Sequence, residues 1–156
     1  MGSTYSSEED GWRHANTTYE VVVGYVQERH GTNTDIREVK LLSAMAKDIS
    51  QYRQGWLQST IAMQQISESN IKETTEFFCK SSLSSPTAVN IGRIIVCLES
   101  CALLVKLSER RNISSRTEIM RWASNILGEK SHLFLADDGW IGVWVKYRAS
   151  VVIDSA

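Results

Sequence analysis

Three cysteines, three histidines, a few carboxylates and one Asn-x-Gly-Arg run are the residues whose types and spacing bear on chemistry. Cys97 and Cys101 stand four apart, so a helix brings both thiols to one face, where they can act as a redox pair. Their neighbours are apolar, and free cysteine is mostly buried, so small core residues are the simpler reading. Cys79 makes the count odd, which does not suit a disulfide framework. His14, His30 and His132 lie far apart, and a zinc centre needs three or four converging ligands. They read as exposed or capping side chains. Asp137 and Asp138 are adjacent carboxylates suited to a helix start. Glu76 can serve as a base, but no nucleophile stands beside it. There is no phosphate loop, glycine-rich dinucleotide turn, Cys-x-x-Cys or His-Glu-x-x-His. The expectation is a binding protein with no metal, no cofactor and no catalysis.

The elements that would position these residues are helical. The 156 residues suit one domain, expected at 17–153 behind a flexible segment 1–16. A single proline, Pro86, leaves long helices unbroken. Seventeen basic against eighteen acidic residues exert no general pull on nucleic acid. The strongest apolar stretch, Ile94 to Leu107, is interrupted by Glu99, Ser100 and Lys106 and falls short of the ~20 residues of a membrane span. No transmembrane anchor is expected. The sequons at Asn16 and Asn112 read as chance matches, since no leader precedes them.

Thr17 or Thr18 with Glu20 predicts a helix start, and Gly31 its stop. Ile36, Val39, Leu42, Met45, Ile49 and Tyr52 recur at steps of three and four and form one stripe. A third segment carries Trp56, Leu57, Ile61, Met63 and Ile66, set off by a bend at Gly55. Ser69-Asn70 opens a helix over 71–80, and the serines from Ser81 to Thr87 with Pro86 read as a loop. Ala88 to Arg110 is apolar nearly all round, which predicts a buried central helix. Arg116 to Leu127 is amphipathic and closed by Gly128. A short segment, Ser131 to Leu135, precedes a last helix from Trp140, capped by Asp138. The sum is an all-α globular bundle of seven or eight helices around a central one.

Three stretches then resemble the Bcl-2 family of apoptosis regulators. Asn90-Ile91-Gly92-Arg93 resembles the Asn-Trp-Gly-Arg signature that opens the family's buried central helix, with Ile91 in the tryptophan's place. Asp138-Gly139-Trp140 resembles the second signature, Gly-Gly-Trp, with Asp138 for the first glycine. Leu42 to Ile49 resembles the third homology region (BH3), with Ala46 for its glycine and Lys47 for its aspartate. Tyr19 to His30 is similar to the fourth region. The short link between the first two helices and the missing anchor resemble compact viral homologues.

The resemblance implies an anti-apoptotic protein that sequesters the BH3 helices of host pro-apoptotic proteins in an apolar groove. Arg93 would pair with the ligand's aspartate, Asn90 would cap the central helix, and Gly92 would let the ligand helix come close. Ile49, Tyr52, Trp56, Met63, Phe77 and Cys97 would line the groove. Gly139 and Trp140 would be structural. Such a protein would act in the host cytoplasm or peripherally at mitochondria, with a homodimer as a further partner state. A helical structural or immune-regulatory interaction protein without BH3 binding stands as the alternative.

Overall fold

The computed structural model describes residues 11–48, 51–84, 89–113 and 115–153, and for 51–54 the backbone alone. Ile49 therefore lies outside the described residues, as does the side chain of Tyr52. The chain is all-helical, and the one β-type pairing among the described residues is an isolated bridge between Arg13 and Ile36.

Helix α1 spans Thr18–Arg29. It starts on a capping box: the Thr17 hydroxyl accepts from the Glu20 amide at 3.1 Å, and the Glu20 carboxylate accepts from the Thr17 amide at 3.1 Å. Arg13 donates to the same carboxylate at 2.6 Å and holds its pKa below the usual value. The helix ends at His30, with Gly31 at φ +94°. Its valines favour a strand locally, but Val21, Val22, Tyr25 and Val26 are all fully buried, and tertiary burial outweighs that preference.

Helix α2 spans Arg37–Asp48 and packs on α1. A Cβ at Gly24 would fall 2.8 Å from Val39 Cγ2, so glycine sets the closeness of the two helices. Helix α3 spans Gln51–Ala62 and runs straight through Gly55, where a bend was expected. Helix α4 spans Ile71–Leu83 and takes in Ser81 and Ser82, which the loop reading excluded. Ser82 joins the helix by donating to the Phe78 carbonyl at 2.6 Å.

Helix α5, Ile91–Arg110, packs against α1, α2, α3, α4 and α6 (the helix at Arg116–Leu135), and most of its side chains are buried. Its buried serines carry no unpaired hydroxyl: Ser100 donates to the Val96 carbonyl at 2.9 Å, and Ser108 to Val105 at 2.8 Å. The expected central helix is thus found, starting at Ile91 where the sequence reading starts it at Ala88.

Helix α6 does not close at Gly128. It runs on to Leu135 as one element, absorbing the segment read as separate. An internal glycine costs about 1 kcal/mol, and here it lies against Thr18 of α1, where a Cβ would touch the threonine at 3.7 Å. A short 3-10 turn, Ala136–Asp138, leads into α7, Gly139–Tyr147. Asp138 makes no side-chain cap, contrary to expectation. Gly139 takes φ +60°, the left-handed region that favours glycine.

The segment before α1 is not loose over residues 12–15. Arg13 donates its amide to the Asp35 carbonyl and accepts from the Arg37 amide, both at 2.7 Å. Ala15 is buried, and its amide donates to Glu38 at 2.7 Å. His14 Nδ1 meets the other Glu38 oxygen at 2.6 Å. Both oxygens of this fully buried carboxylate are thereby satisfied. The strap straddles the starts of α1 and α2, and His14 also lies edge-on to Trp144 of α7.

Candidate functional site

The Asn-x-Gly-Arg run sits at the start of the most buried helix. Asn90 has extended backbone, and its side-chain oxygen accepts from the Arg93 amide at 3.0 Å, as a cap must. Gly92 lies on the partly exposed face of that first turn. A Cβ there would come 3.3 Å from the Asn90 side-chain oxygen, so a bare backbone leaves the cap its room. Arg93 reaches across to α4 and donates from Nη1 to the Ser84 carbonyl, just past the helix end, at 2.9 Å. Its Nε is buried without a hydrogen-bond partner, which leaves the guanidinium under-satisfied.

α3 and α4 both pack on α5 but scarcely on each other. Large apolar side chains are exposed on or just beyond both helices. Trp56 is 63% exposed, Phe77 64%, and Met63, just beyond α3, 79%. Globular chains expose single apolar residues routinely. Exposed apolar residues mark an interaction site where they form one contiguous surface.

Cys97 is not part of that surface. It is 1% exposed, its thiol is hydrogen-bonded to that of Cys79 on α4, and that bond and burial push its pKa up. Cys101 is likewise buried, and burial raises its thiol pKa. Raised thiols are poor nucleophiles, so this face of α5 is helix packing. Gly139 and Trp140 lie away from the run, at the base formed by α6 and α7. Trp140 is 4% exposed and donates from Nε1 to the Thr18 hydroxyl at 3.0 Å, tying α7 to the first turn of α1.

Sequence reasoning missed the second polar centre of the core. Glu99, midway along α5, is buried among apolar residues. It accepts from the Tyr25 hydroxyl and from Arg29 Nε, the latter at 2.6 Å. A buried carboxylate between two donors on another helix fixes the rotation of α1 against α5. The only sequence signal was a lone glutamate in an apolar run, which reads as an interruption. Burial and the neighbouring carboxylate push the Tyr25 pKa well above its ordinary value. The folded state therefore holds this proton more tightly than the unfolded chain does. Its stabilising contribution is complete below pH about 10 and is lost as pH rises above that value. Denaturant midpoints at pH 9 and 11 should fall further for the native chain than for Tyr25→Phe; equal falls would contradict this.

His30 contacts the Ala102 carbonyl at 3.1 Å, and His132 is exposed in the last turn of α6. Among the described residues no cluster of three or more potential ligands is placed to hold a metal ion, and no helix is long and apolar enough to cross a membrane. A hollow of about 530 Å³ at the α5–α6 turn is open to solvent and lined by Glu109, Arg116 and Glu118 among others. It lies at the opposite end of α5 from Arg93.

No family model matches the chain, and neither a curated protein nor a solved structure matches it.

Proposed function

We propose that the chain is a Bcl-2-like helical bundle that binds the amphipathic BH3 helix of pro-apoptotic proteins between α3 and α4, over the first turns of α5. The observation that supports this reading is the Asn90-x-Gly92-Arg93 run opening the most buried helix, with Trp56 and Phe77 exposed on the two helices, α3 and α4, that pack on it; Met63 stands toward the other end of α5, between the Ala62 and Gln64 carbonyls that Arg111 holds. An amphipathic helix needs apolar wall contacts at its i, i+3, i+4 and i+7 positions and a charge to fix its register. The exposed side chains supply the first, and Arg93 supplies the second. A helical bundle with a buried central helix supports this reading. Sequestering such helices restrains mitochondrial permeabilisation, and the compact form fits a viral protein acting on host partners in the cytoplasm or at the mitochondrial surface.

Arg93 is held in the free protein by the Ser84 carbonyl, a neutral acceptor. A ligand carboxylate is the stronger partner, because charge-assisted hydrogen bonds are roughly twice as strong as neutral ones. Ligand binding then exchanges one acceptor for a better one at little conformational cost.

Trp56 is the built-in reporter. Adding a synthetic BH3 peptide should shift its fluorescence to the blue as the ring leaves water. Trp56→Ala and Phe77→Ala should each weaken binding by roughly five- to thirtyfold, the range of 1–2 kcal/mol for interface aromatics short of the strongest anchors. Unchanged affinity in both variants would remove the two walls from the site.

A second reading, an interaction protein that self-associates without BH3 binding, draws on the exposed Ile141 and Val145, one turn apart on α7. Sedimentation would show it as a dimer lost in Val145→Glu.

A further inference from the structure

On the other flank of α3 is a small pit. It is lined by Gln58 and Ile61 of α3 and by Leu103, Lys106, Leu107 and Arg110 of α5, and its volume is about 230 Å³. Trp56 and Gln58 are about 200° apart around the helix axis, so the pit and the Trp56 wall face opposite sides of α3. The pit is therefore separate from the groove above.

Its chemistry is one-sided. Ile61, Leu103 and Leu107 make an apolar floor, with Ile61 and Leu107 buried and Leu103 half-buried. Lys106 and Arg110 stand exposed at the rim, one helical turn apart, and no carboxylate lines the pit. Neither cation has an ion-pair partner among the described residues. The nearest acid in sequence, Glu109, is turned to Arg116 at 3.4 Å. Arg111 adds a third positive charge nearby, and its guanidinium is spent on the carbonyls of Ala62 and Gln64, where it closes the end of α3. The wall of the pit is thus pinned, and among the described residues its rim charges have no ion-pair partner.

The size narrows the occupant. Pockets for small-molecule ligands run from about 300 to 1,000 Å³, and 230 Å³ takes one bulky side chain. Two free cations about 6 Å apart, one turn of helix, match two carboxylates at i and i+4 of a partner helix.

We infer that this pit is an anchor site for an acidic helical segment of a partner protein, which inserts one leucine-sized side chain and sets a carboxylate on Lys106 and another on Arg110. Floor and rim recognise different halves of the same segment. The apolar floor supplies burial, and the rim charges exclude basic segments and make binding salt-dependent.

The probe is a capped helical decapeptide with a single leucine and two glutamates one turn apart, alongside its glutamine counterpart. Both are titrated into the 156-residue chain, followed by amide nuclear magnetic resonance. Shifts for the glutamate peptide should be confined to Ile61, Leu103, Lys106, Leu107 and Arg110. Affinity should fall about tenfold in the Lys106→Gln/Arg110→Gln double variant, the combined effect of two exposed ion pairs. Both positions are exposed, so the fold is expected to survive, and circular dichroism checks it. Trp56→Ala should leave the titration unchanged, which separates this site from the groove. The inference is overturned if the glutamine peptide binds equally well, if neither peptide shifts these residues, or if concentrating the protein alone reproduces the shifts, which would make a second copy the occupant.

Discussion

Replacing Trp140 by alanine should cost about 3–5 kcal/mol of stability, the usual range for deleting a large buried aromatic. In a chain of this size that lowers the melting temperature by roughly 6–20 °C. The ring is almost fully buried at the base of the bundle, and its indole N–H is satisfied by the Thr18 hydroxyl. Two losses therefore combine: the cavity, and a hydroxyl left without its donor. Trp140→Phe separates them. It keeps most of the packing and should lose only about 1 kcal/mol for the hydrogen bond, with a smaller cavity term. Thermal or denaturant unfolding measures both. If the alanine variant melted within two degrees or so of the native chain, α7 would not be part of the cooperative core. The same result bears on binding experiments, since any loss of ligand affinity in a Trp140 variant would reflect folding.

The second large effect is expected at Glu99. Glu99→Ala removes the acceptor of both Tyr25 and Arg29 and leaves a fully buried hydroxyl unpaired. Breaking one side of a buried charge pair typically costs about 3–5 kcal/mol. Arg29 is one-third exposed, which lets water take over part of its pairing and places the cost at the lower end of that range. Replacing the whole network tests the cause. Tyr25→Phe, Arg29→Met and Glu99→Leu together should restore most of the lost stability, because apolar packing of similar volume replaces buried ion pairs at little cost. If the triple variant were as unstable as Glu99→Ala alone, the defect would lie in packing at position 99 and not in the unpaired charges.

These two positions also show what could be read in the sequence. The start at Thr17, one of two caps the sequence offers, and the stop at Gly31 are local devices, legible because their partners lie within four residues, whereas the cap at Asn90 comes from the resemblance, the local pattern starting that helix at Ala88. The all-helical class and the buried central helix followed from periodicity alone. What failed depends on distant neighbours. Gly128 reads as a stop, yet the helix passes through it beside Thr18, more than a hundred residues away. Residues 12–15 read as loose because nothing local orders them, and Glu38 does so from across the chain. Glu99 reads as a break in an apolar run, and Tyr25 makes it a buried acceptor.

The candidate site divides in the same way. Asn90, Gly92 and Arg93 are a contiguous run, visible as a pattern. Trp56, Met63 and Phe77 were named through the resemblance, and their exposure is compatible with a binding surface. Cys97 was named with them, but helical phase turns it toward Cys79 and the core. The pit beyond α3 had only a faint trace in sequence, two cations one turn apart. Its apolar floor is assembled by the packing of α3 on α5, which no local pattern announces.

The measurement that bears most directly on the function is calorimetric titration of the protein with a panel of synthetic BH3 peptides, in parallel with Arg93→Ala. Arg93 is partly exposed and, among the described residues, its side chain donates to the Ser84 carbonyl alone, so the variant should fold normally. Sub-micromolar binding of at least one peptide is expected. The variant should weaken it by roughly thirtyfold or more, the lower end of the 2–5 kcal/mol for truncating one member of a shielded charge pair. If a folded protein bound none of the peptides, or bound them as tightly without Arg93, the groove account would be contradicted.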